Sequence, residues 1–316
     1  MSRSSSRKTS GPGQLTTARR FIRWGFQPRR LVIAAAVSLG FVVWPHFRQT
    51  FSEVKLLPEY QVEIAEISVT PPPRWIPENL VAEILHRVDL DLPMSLQNPN
   101  LSEQIAAAFV THPWIRQVHR VTKSFPPRVH VDVTYRRPVA IVDGAGGYYA
   151  IDESGCVLPG SDFSRSDIAR YPIIENVSSV PQGGQGGAWG DSVVTGAAQL
   201  AALLTKPEES GSSRWEIWDL KAIQAPSDAG SPDEGSGLQY LLRTAGGSII
   251  IWGRSPETQH PGELSADRKL QRLSEYYEDF RDDGGFDNAP YARVIDVRGW
   301  RGITLSDKRD GDTMSR

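Results

Sequence analysis

The stretch HPWIRQVHRVTKSFPPRVHVDVTYRRPVA, residues 112–140, decides the fold of the first half of the chain. Residues 128–136 alternate between two sets of side chains. One set is Val129, Val131, Val133 and Tyr135, and the other is Arg128, His130, Asp132, Thr134 and Arg136. A period of two is typical of a strand with one buried face and one face in water. Residues 114–125 are also strand-like, but Val118 and Val121 are out of phase, which predicts a bulge.

The segments before this stretch predict one strand and two helices. Residues 60–69 alternate between polar and apolar side chains, as in a strand. Residues 78–88 place Leu and Val side chains at helical spacing, and a second helix ends at Val110, with Asn98 or Asn100 as its cap. The predicted order is therefore strand, helix, helix, strand, strand, with the helices covering one face of the sheet.

Three of the six histidines of the chain, His112, His119 and His130, lie in this stretch. Their spacing is not that of metal ligands, and no cysteine is near them. We therefore expect a polar face in contact with water, without a catalytic or metal-binding role. Arg128, His130 and Thr134 on that face are candidates for contact with a partner protein.

Charge is distributed unevenly along the 316 residues. Residues 1–30 contain eight Lys or Arg side chains and no acidic one, so the remaining residues carry 27 basic and 37 acidic groups. An acidic body argues against binding to nucleic-acid backbones. The single cysteine, Cys156, cannot form an intramolecular disulfide and has no histidine near it in sequence, so a structural role is favoured over a reactive thiol.

An uncharged run, LVIAAAVSLGFVVW, extends from Leu31 through Val37 to Trp44. Fourteen residues of helix reach roughly 21 Å, and extension to residue 47 brings the run to the lower limit of a membrane span. We interpret residues 31–47 as an uncleaved transmembrane helix. The alternatives are a signal peptide, which lacks a small-residue cleavage site here, and a core helix. The basic residues 1–30 would then stay in the cytoplasm and the bulk of the chain would lie outside.

A second unit begins at residue 138 and extends to residue 306. Short strands alternate with turns, helices are predicted at 192–205 and 264–280, and the Gly-rich residues 181–190 and the polar insert 225–237 are predicted loops. Together these patterns predict an α+β fold: one N-terminal transmembrane helix, the first module, and then a mostly antiparallel β-rich unit with two helices. Residues 307–316 are expected to be disordered.

The order of these elements resembles a known family. The strand–helix–helix–strand–strand module is similar to a POTRA domain, and HPWI (112–115), FPP (125–127) and RRPVA (136–140) resemble the bacterial cell-division protein FtsQ, also called DivIB. YYAIDESGCVLP (148–159) and YARVIDVRGWRGITL (291–305) resemble later elements of that family. The resemblance implies a POTRA-like domain at 60–137 and an FtsQ-type β domain at 138–306.

The resemblance also implies a function. FtsQ-like proteins are membrane scaffolds of the division machinery without catalytic residues or cofactors, and they bind small bitopic coiled-coil proteins, FtsB and FtsL. The location implied is the cytoplasmic membrane at the division site. An exposed final strand could add a partner's strand to its edge, so the candidate contacts are Trp300, Arg301, Ile303, Thr304 and Leu305. Ile303 and Leu305 could equally be ordinary core residues.

Two other interpretations remain. A POTRA-bearing transport or chaperone component would receive polypeptides by strand addition, but it would usually carry several such modules or a β-barrel. A membrane-anchored enzyme would need a nucleophile with a base or converging acids. The sequence has no G-x-S-x-G, H-E-x-x-H or P-loop pattern, and the neighbouring acids Asp152 and Glu153 lie on a turn.

Overall fold

The computed structural model describes residues 32, 37–39, 58–88, 93–209, 211–226 and 239–307. The predicted cytoplasmic tail, nearly all of the predicted 225–237 insert and all but the first residue of the predicted C-terminal tail lie outside this part. The predicted domain boundaries are not tested and stay predictions.

The first unit is a three-stranded sheet with two helices on one face. Its sheet has the order β2-β5-β4, and a separate two-stranded sheet pairs β1 with β3. The elements are β1 (Gln61–Val62), β2 (Ile67–Val69), α1 (Leu80–Arg87), β3 (Met94–Ser95), α2 (Leu101–Val110), β4 (Ile115–Ser124) and β5 (Arg128–Tyr135).

The alternation of apolar and polar side chains in residues 128–135 determines which face of the sheet is buried in this unit. Val129, Val131 and Val133 are buried, whereas every intervening residue of β5 is exposed. The buried valines belong to one cluster with Ile105 and Phe109 of α2, so the helix covers the apolar face of the strand. Each buried aliphatic side chain contributes about 1.5–3 kcal/mol relative to exposure. The register of β4 against β5 shifts between residues 118 and 120, which confirms the predicted bulge.

The second unit is built on an eight-stranded sheet of order β13-β12-β11-β10-β9-β8-β6-β7. Its strands are β6 (Pro138–Gly144), β7 (Gly147–Asp152), β8 (Ile173–Glu175), β9 (Leu220–Gln224), β10 (Tyr240–Thr244), β11 (Ile249–Gly253), β12 (Arg293–Asp296) and β13 (Thr304–Asp307). Its helices are α3 (Arg165–Ile168), α4 (Ser192–Leu204), α5 (Arg214–Ile217) and α6 (Ala266–Asp279).

The predicted α+β fold class is wrong, and so is the prediction of two helices in the second unit, where four are described. The described residues form a mixed α/β structure made mostly of sheet, and three of the seven strand pairs in the large sheet are parallel: β6 with β8, β8 with β9, and β11 with β12. A parallel pair needs a crossover connection. Each of these three connections contains helix, including the short α3 and α5, which the sequence periodicity did not indicate.

The predicted transmembrane helix is also wrong for the described part of the chain, where no helix is long and apolar enough to cross a membrane. Of the predicted span 31–47, only Val32 and residues 37–39 are described, and they are helical. Leu31 and Trp44 lie outside the described residues. The uncharged run was already short, at roughly 21 Å against a hydrocarbon core of about 30 Å.

The two units share a buried interface. Ile141, Ala150 and Leu158 of the second unit lie in the same buried cluster as Trp114 of the first. Polar contacts surround this cluster. The Trp114 indole N–H donates to Asp162 over 2.8 Å, the Arg136 guanidinium donates to Asp152 over 2.7 Å, and Arg116 pairs with Glu153.

Asp152 is the central acceptor of this interface. One carboxylate oxygen accepts from Arg136, and the other accepts from the Ser154 N–H, the Ser154 hydroxyl and the Cys156 N–H at 2.9, 2.6 and 2.9 Å. Asp152 is buried, and Arg136 is only 18% exposed. The carboxylate therefore fixes the turn after β7 and the end of β5 at the same time.

Asp152→Ala should lower the free energy of unfolding by about 2–4 kcal/mol, because it leaves a largely buried guanidinium unpaired and removes the acceptor of the turn. Glu153→Ala is the matched control, since its pair with Arg116 is exposed on both sides and should contribute less than about 1 kcal/mol. Urea unfolding measures both. Equal losses in the two variants would contradict the central position of Asp152.

His112 provides a second test, which depends on pH. Its ring is buried, its Nδ1 accepts from the Trp114 N–H at 3.3 Å, and its Nε2 lies 3.4 Å from a Glu83 oxygen. Burial lowers the pKa of His112, although Glu83 opposes this shift. Since the folded state then binds fewer protons than the unfolded state, the stability from neutral His112 is lost as the pH falls below about 6.5.

We therefore expect the free energy of unfolding to fall between about pH 7.5 and pH 5.5, where carboxylates have not begun to titrate. His112→Gln should flatten this dependence, because glutamine does not titrate. His86→Gln removes an exposed histidine from α1 and should leave the slope unchanged. Urea unfolding at a series of pH values measures all three proteins, and equal slopes in wild type and His112→Gln would contradict the prediction.

Candidate partner-binding edge and sheet face

The last described strand, β13, lies at one end of the eight-stranded sheet. It pairs antiparallel with β12, and Thr304 and Leu305 lie opposite Asp296 and Ile295. Among the described residues no strand pairs with its other side, and all four of its residues are exposed. An edge strand of this kind presents unpaired backbone N–H and C=O groups to another chain.

The predicted contact residues before and within β13 differ in burial. Trp300 is 66% exposed and Leu305 is 44% exposed, which are high values for large apolar side chains, and Arg301 and Thr304 are also exposed. Ile303 is partly buried and packs against the main core of the second unit. The alternative of ordinary core packing therefore holds for Ile303 and fails for Leu305.

Asp296 and Arg298 begin the connection that presents Trp300. Arg298 donates to the Asp296 carboxylate from its backbone N–H, its Nε and one terminal nitrogen, at 3.0, 2.9 and 2.7 Å. Burial alone would raise the pKa of Asp296, but these hydrogen bonds and the charge of Arg298 hold it below its ordinary value. The carboxylate stays ionised at neutral pH, and its bonds to Arg298, two residues later, fix the start of the connection.

A second charged group, the Lys269 ammonium, lies near Asp296 and Arg298 at the start of the connection. Lys269 of α6 is buried and pairs with Glu263, whose carboxylate also accepts from the Arg254 N–H at 3.1 Å. The Lys269 ammonium lies 5.0 Å from the centre of the Trp252 ring. Burial lowers the pKa of Lys269, and Glu263 opposes that shift. These contacts fasten α6 to the end of β11, next to β12.

The second predicted surface lies on the sheet of the first unit. Arg128, His130 and Thr134 are exposed on the face of β5 opposite the helices. His130 Nδ1 is 3.0 Å from the Ser68 hydroxyl, and Thr134 is 2.7 Å from Nε2 of His119. These histidines contact hydroxyl groups, as expected for a polar face in water. The face and β13 belong to different sheets, so the structure does not bring the two predicted sets of residues together.

The residues that the sequence offers as candidates for metal binding or catalysis make contacts that stabilise the fold. Within the described ranges no group of three or more His, Cys, Asp or Glu side chains could hold a metal ion. Burial raises the pKa of the Cys156 thiol to about 11, so this thiol is protonated at neutral pH. The adjacent acids Asp152 and Glu153 pair with different arginines, Arg136 and Arg116.

Sequence reasoning missed one residue of the edge site, Arg272. It lies on α6, beside the buried Leu270 and Leu273, and its guanidinium donates to the backbone oxygens of Gly299 and Trp300. The helical spacing of residues 264–280 predicts a buried stripe of Leu270, Leu273, Tyr277 and Phe280. The two leucines are buried, whereas Tyr277 is only partly buried and Phe280 is exposed. A contact over 27 residues with a backbone carbonyl leaves no signal in one sequence, because any residue can supply that acceptor.

Comparison with known proteins gives one partial similarity. No family model matches the chain. A cell division protein FtsQ from Anaeromyxobacter sp. (strain K) is 43% identical over 107 residues, which are 33% of this chain and 30% of that protein. The chain therefore covers less than a third of this relative. The similarity supports a relation to the FtsQ-like family and hints at a role in cell division.

Stability measurements should separate anchoring from exposed residues in the connection. Ile303→Ala should cost about 1–2 kcal/mol in the free energy of unfolding, because this side chain packs on the core. Trp300→Ala should change it by less than about 0.5 kcal/mol, because a surface substitution removes little packing. A larger loss for Trp300→Ala than for Ile303→Ala would show that the indole is part of the core.

Proposed function

We propose that this protein is a non-enzymatic scaffold of the bacterial cell-division machinery that binds a partner by strand addition to β13. The observation that carries the proposal is the outer edge of β13, which no other described strand pairs with and which follows a 66% exposed Trp300. The partial similarity to a cell division protein FtsQ supports the setting of cell division.

Strand addition explains why this edge would be selective. Backbone hydrogen bonds supply affinity for any extended segment, and alternate side chains give specificity. Along β13, Thr304 and Ser306 point to one face of the sheet, and Leu305 and Asp307 point to the other. Trp300 adds an exposed indole, a side chain over-represented among binding hot spots. Such an edge suits an extended segment with an apolar side chain next to Leu305 or Trp300.

The partners we propose are small coiled-coil division proteins of the FtsB and FtsL type. The location we propose is the division site, on the outer side of the cytoplasmic membrane. The polar face with Arg128, His130 and Thr134 is the proposed contact for another division protein. Because that face and β13 lie on different sheets, one partner would not exclude the other.

A second candidate function rests on the first unit. Without the short paired strands β1 and β3, its elements run strand, helix, helix, strand, strand, an order that resembles a POTRA module, and the ten-residue β4 is an edge strand of its sheet. A transport or chaperone component could receive polypeptides at that edge. Under this candidate, binding would depend on β4 and not on β13.

The test is affinity capture of the purified extracytoplasmic segments of the FtsB-like and FtsL-like proteins of the same bacterium. Trp300→Asp and Leu305→Asp should each weaken binding by about tenfold or more, because a charge is placed in an apolar contact. Tyr148→Asp is the matched control, since Tyr148 is 58% exposed on the edge strand β7 at the other end of the sheet.

Each variant is first checked for an unchanged unfolding midpoint. Undiminished capture by folded Trp300→Asp and Leu305→Asp would contradict the β13 site. Capture that is instead lost with substitutions on the outer edge of β4 would support the polypeptide-receiving candidate.

A further inference from the structure

The conformation of the connection between β12 and β13 depends on a contact with another part of the chain. It runs from residue 297 to residue 303 and contains Gly299, Trp300 and Gly302. One backbone hydrogen bond lies within it, from the Gly302 N–H to the Gly299 oxygen, at 3.3 Å. Gly302 has φ of +148°, in the region that favours glycine. Residues 297, 298 and 303 at its two ends are held by contacts with the sheet and the core, but a single weak turn bond does not hold residues 299–302 in one conformation.

Arg272 supplies the missing restraint. One terminal nitrogen donates to the Gly299 oxygen, and the other donates to the Trp300 oxygen at 2.8 Å. The planar guanidinium thus binds two successive carbonyl groups with a fixed fork geometry, which a flexible ammonium cannot reproduce. Both carbonyls belong to the short segment that presents the exposed indole.

The helix that carries Arg272 is itself firmly placed. Lys269, three residues earlier on α6, is buried in its pair with Glu263, and Leu273 is fully buried. On the other side of the contact, Arg298 and Asp296 fix the start of the connection at the end of β12. Arg272 therefore links a fixed helix to residues 299–302, whose own backbone groups make a single weak hydrogen bond with one another.

We propose that Arg272 is a positioning residue for the edge site: it holds the Gly299–Trp300 turn so that the Trp300 indole stays exposed beside β13. This inference rests on the proposed function of β13, and it adds the residue that organises that surface before a partner arrives. A surface ordered in advance loses less conformational entropy on binding, so the contribution of Arg272 is to affinity without direct contact.

Arg272 donates its hydrogen bonds to neutral carbonyl groups. A positioning role can therefore be distinguished from electrostatic attraction of an acidic partner by the salt dependence of binding. Removal of a cation that merely attracted an acidic partner would weaken binding at low salt and matter little at high salt, because exposed charges are screened. A lost hydrogen-bond restraint on the loop would weaken binding to a similar degree at both salt concentrations.

The first experiment uses the full-length protein without a partner. Hydrogen–deuterium exchange of residues 299–307 is compared in wild type, Arg272→Ala, Arg272→Lys and the control Arg268→Ala. Arg268 has the same charge on the same helix and is exposed, and within the described part of the chain its side chain hydrogen-bonds to Gln271 alone. We expect exchange about fivefold faster in Arg272→Ala, an intermediate effect in Arg272→Lys, and none in Arg268→Ala. Equal exchange in Arg272→Ala and Arg268→Ala would overturn the proposal.

The second experiment measures the affinity of the purified FtsB-like segment at low and high salt. Arg272→Ala should weaken binding by about five- to tenfold at both, and by much less when Trp300→Ala is already present, because the two residues act through one surface. Full additivity, or a loss that disappears at high salt, would overturn the positioning role. Absence of binding by wild type would refute the proposed function of β13, whereas the exchange experiment would still decide whether Arg272 holds the loop.

Discussion

The ion pair between Arg136 and Asp152 is the constraint on which the arrangement of the two units depends. Only Arg136 and Arg137 separate β5, in the first sheet, from β6, in the second. With so short a link, the units cannot separate, and their facing surfaces must be compatible. The buried cluster around Trp114 supplies the apolar part of that surface, and Asp152 pairs with a guanidinium that would otherwise be largely buried without a counter-charge.

The candidate site lies at one end of the large sheet because of the way the strands of that sheet are connected. The connection from β11 through α6 to β12 makes those two strands parallel, and the chain then turns back once to form β13. The same crossover puts α6 beside the β12–β13 connection, where Arg272 reaches Gly299 and Trp300. One topological feature thus produces both the free edge and the helix that restrains the loop next to it.

Local periodicity predicts part of this structure and misses the rest for physical reasons. The strand at 128–136, the two helices before it, and the helix after residue 264 are encoded by neighbouring side chains, and they lie where the pattern predicts. Parallel pairing is not local, because it depends on where a connection returns, so the mixed sheet was missed. An uncharged run predicted a membrane span that the described residues do not contain. The sequence is consistent with the exposure of Trp300 and Leu305 that the structure shows, but apolar side chains at these positions could equally have been buried in the core.

The exposed apolar side chains at the β13 edge raise the question of how such an edge avoids pairing with a second copy of the same chain. Long, flat, apolar edges aggregate, and proteins limit this with short strands and charged residues. Here the described part of β13 covers four residues, Thr304–Asp307, includes the charged Asp307, and is preceded by Arg301 next to Trp300. Two copies paired antiparallel through β13 would form few backbone hydrogen bonds. A partner that also contacts the Trp300 indole gains an interaction that self-pairing along four residues does not supply, so the short strand and the restrained loop together favour a different chain.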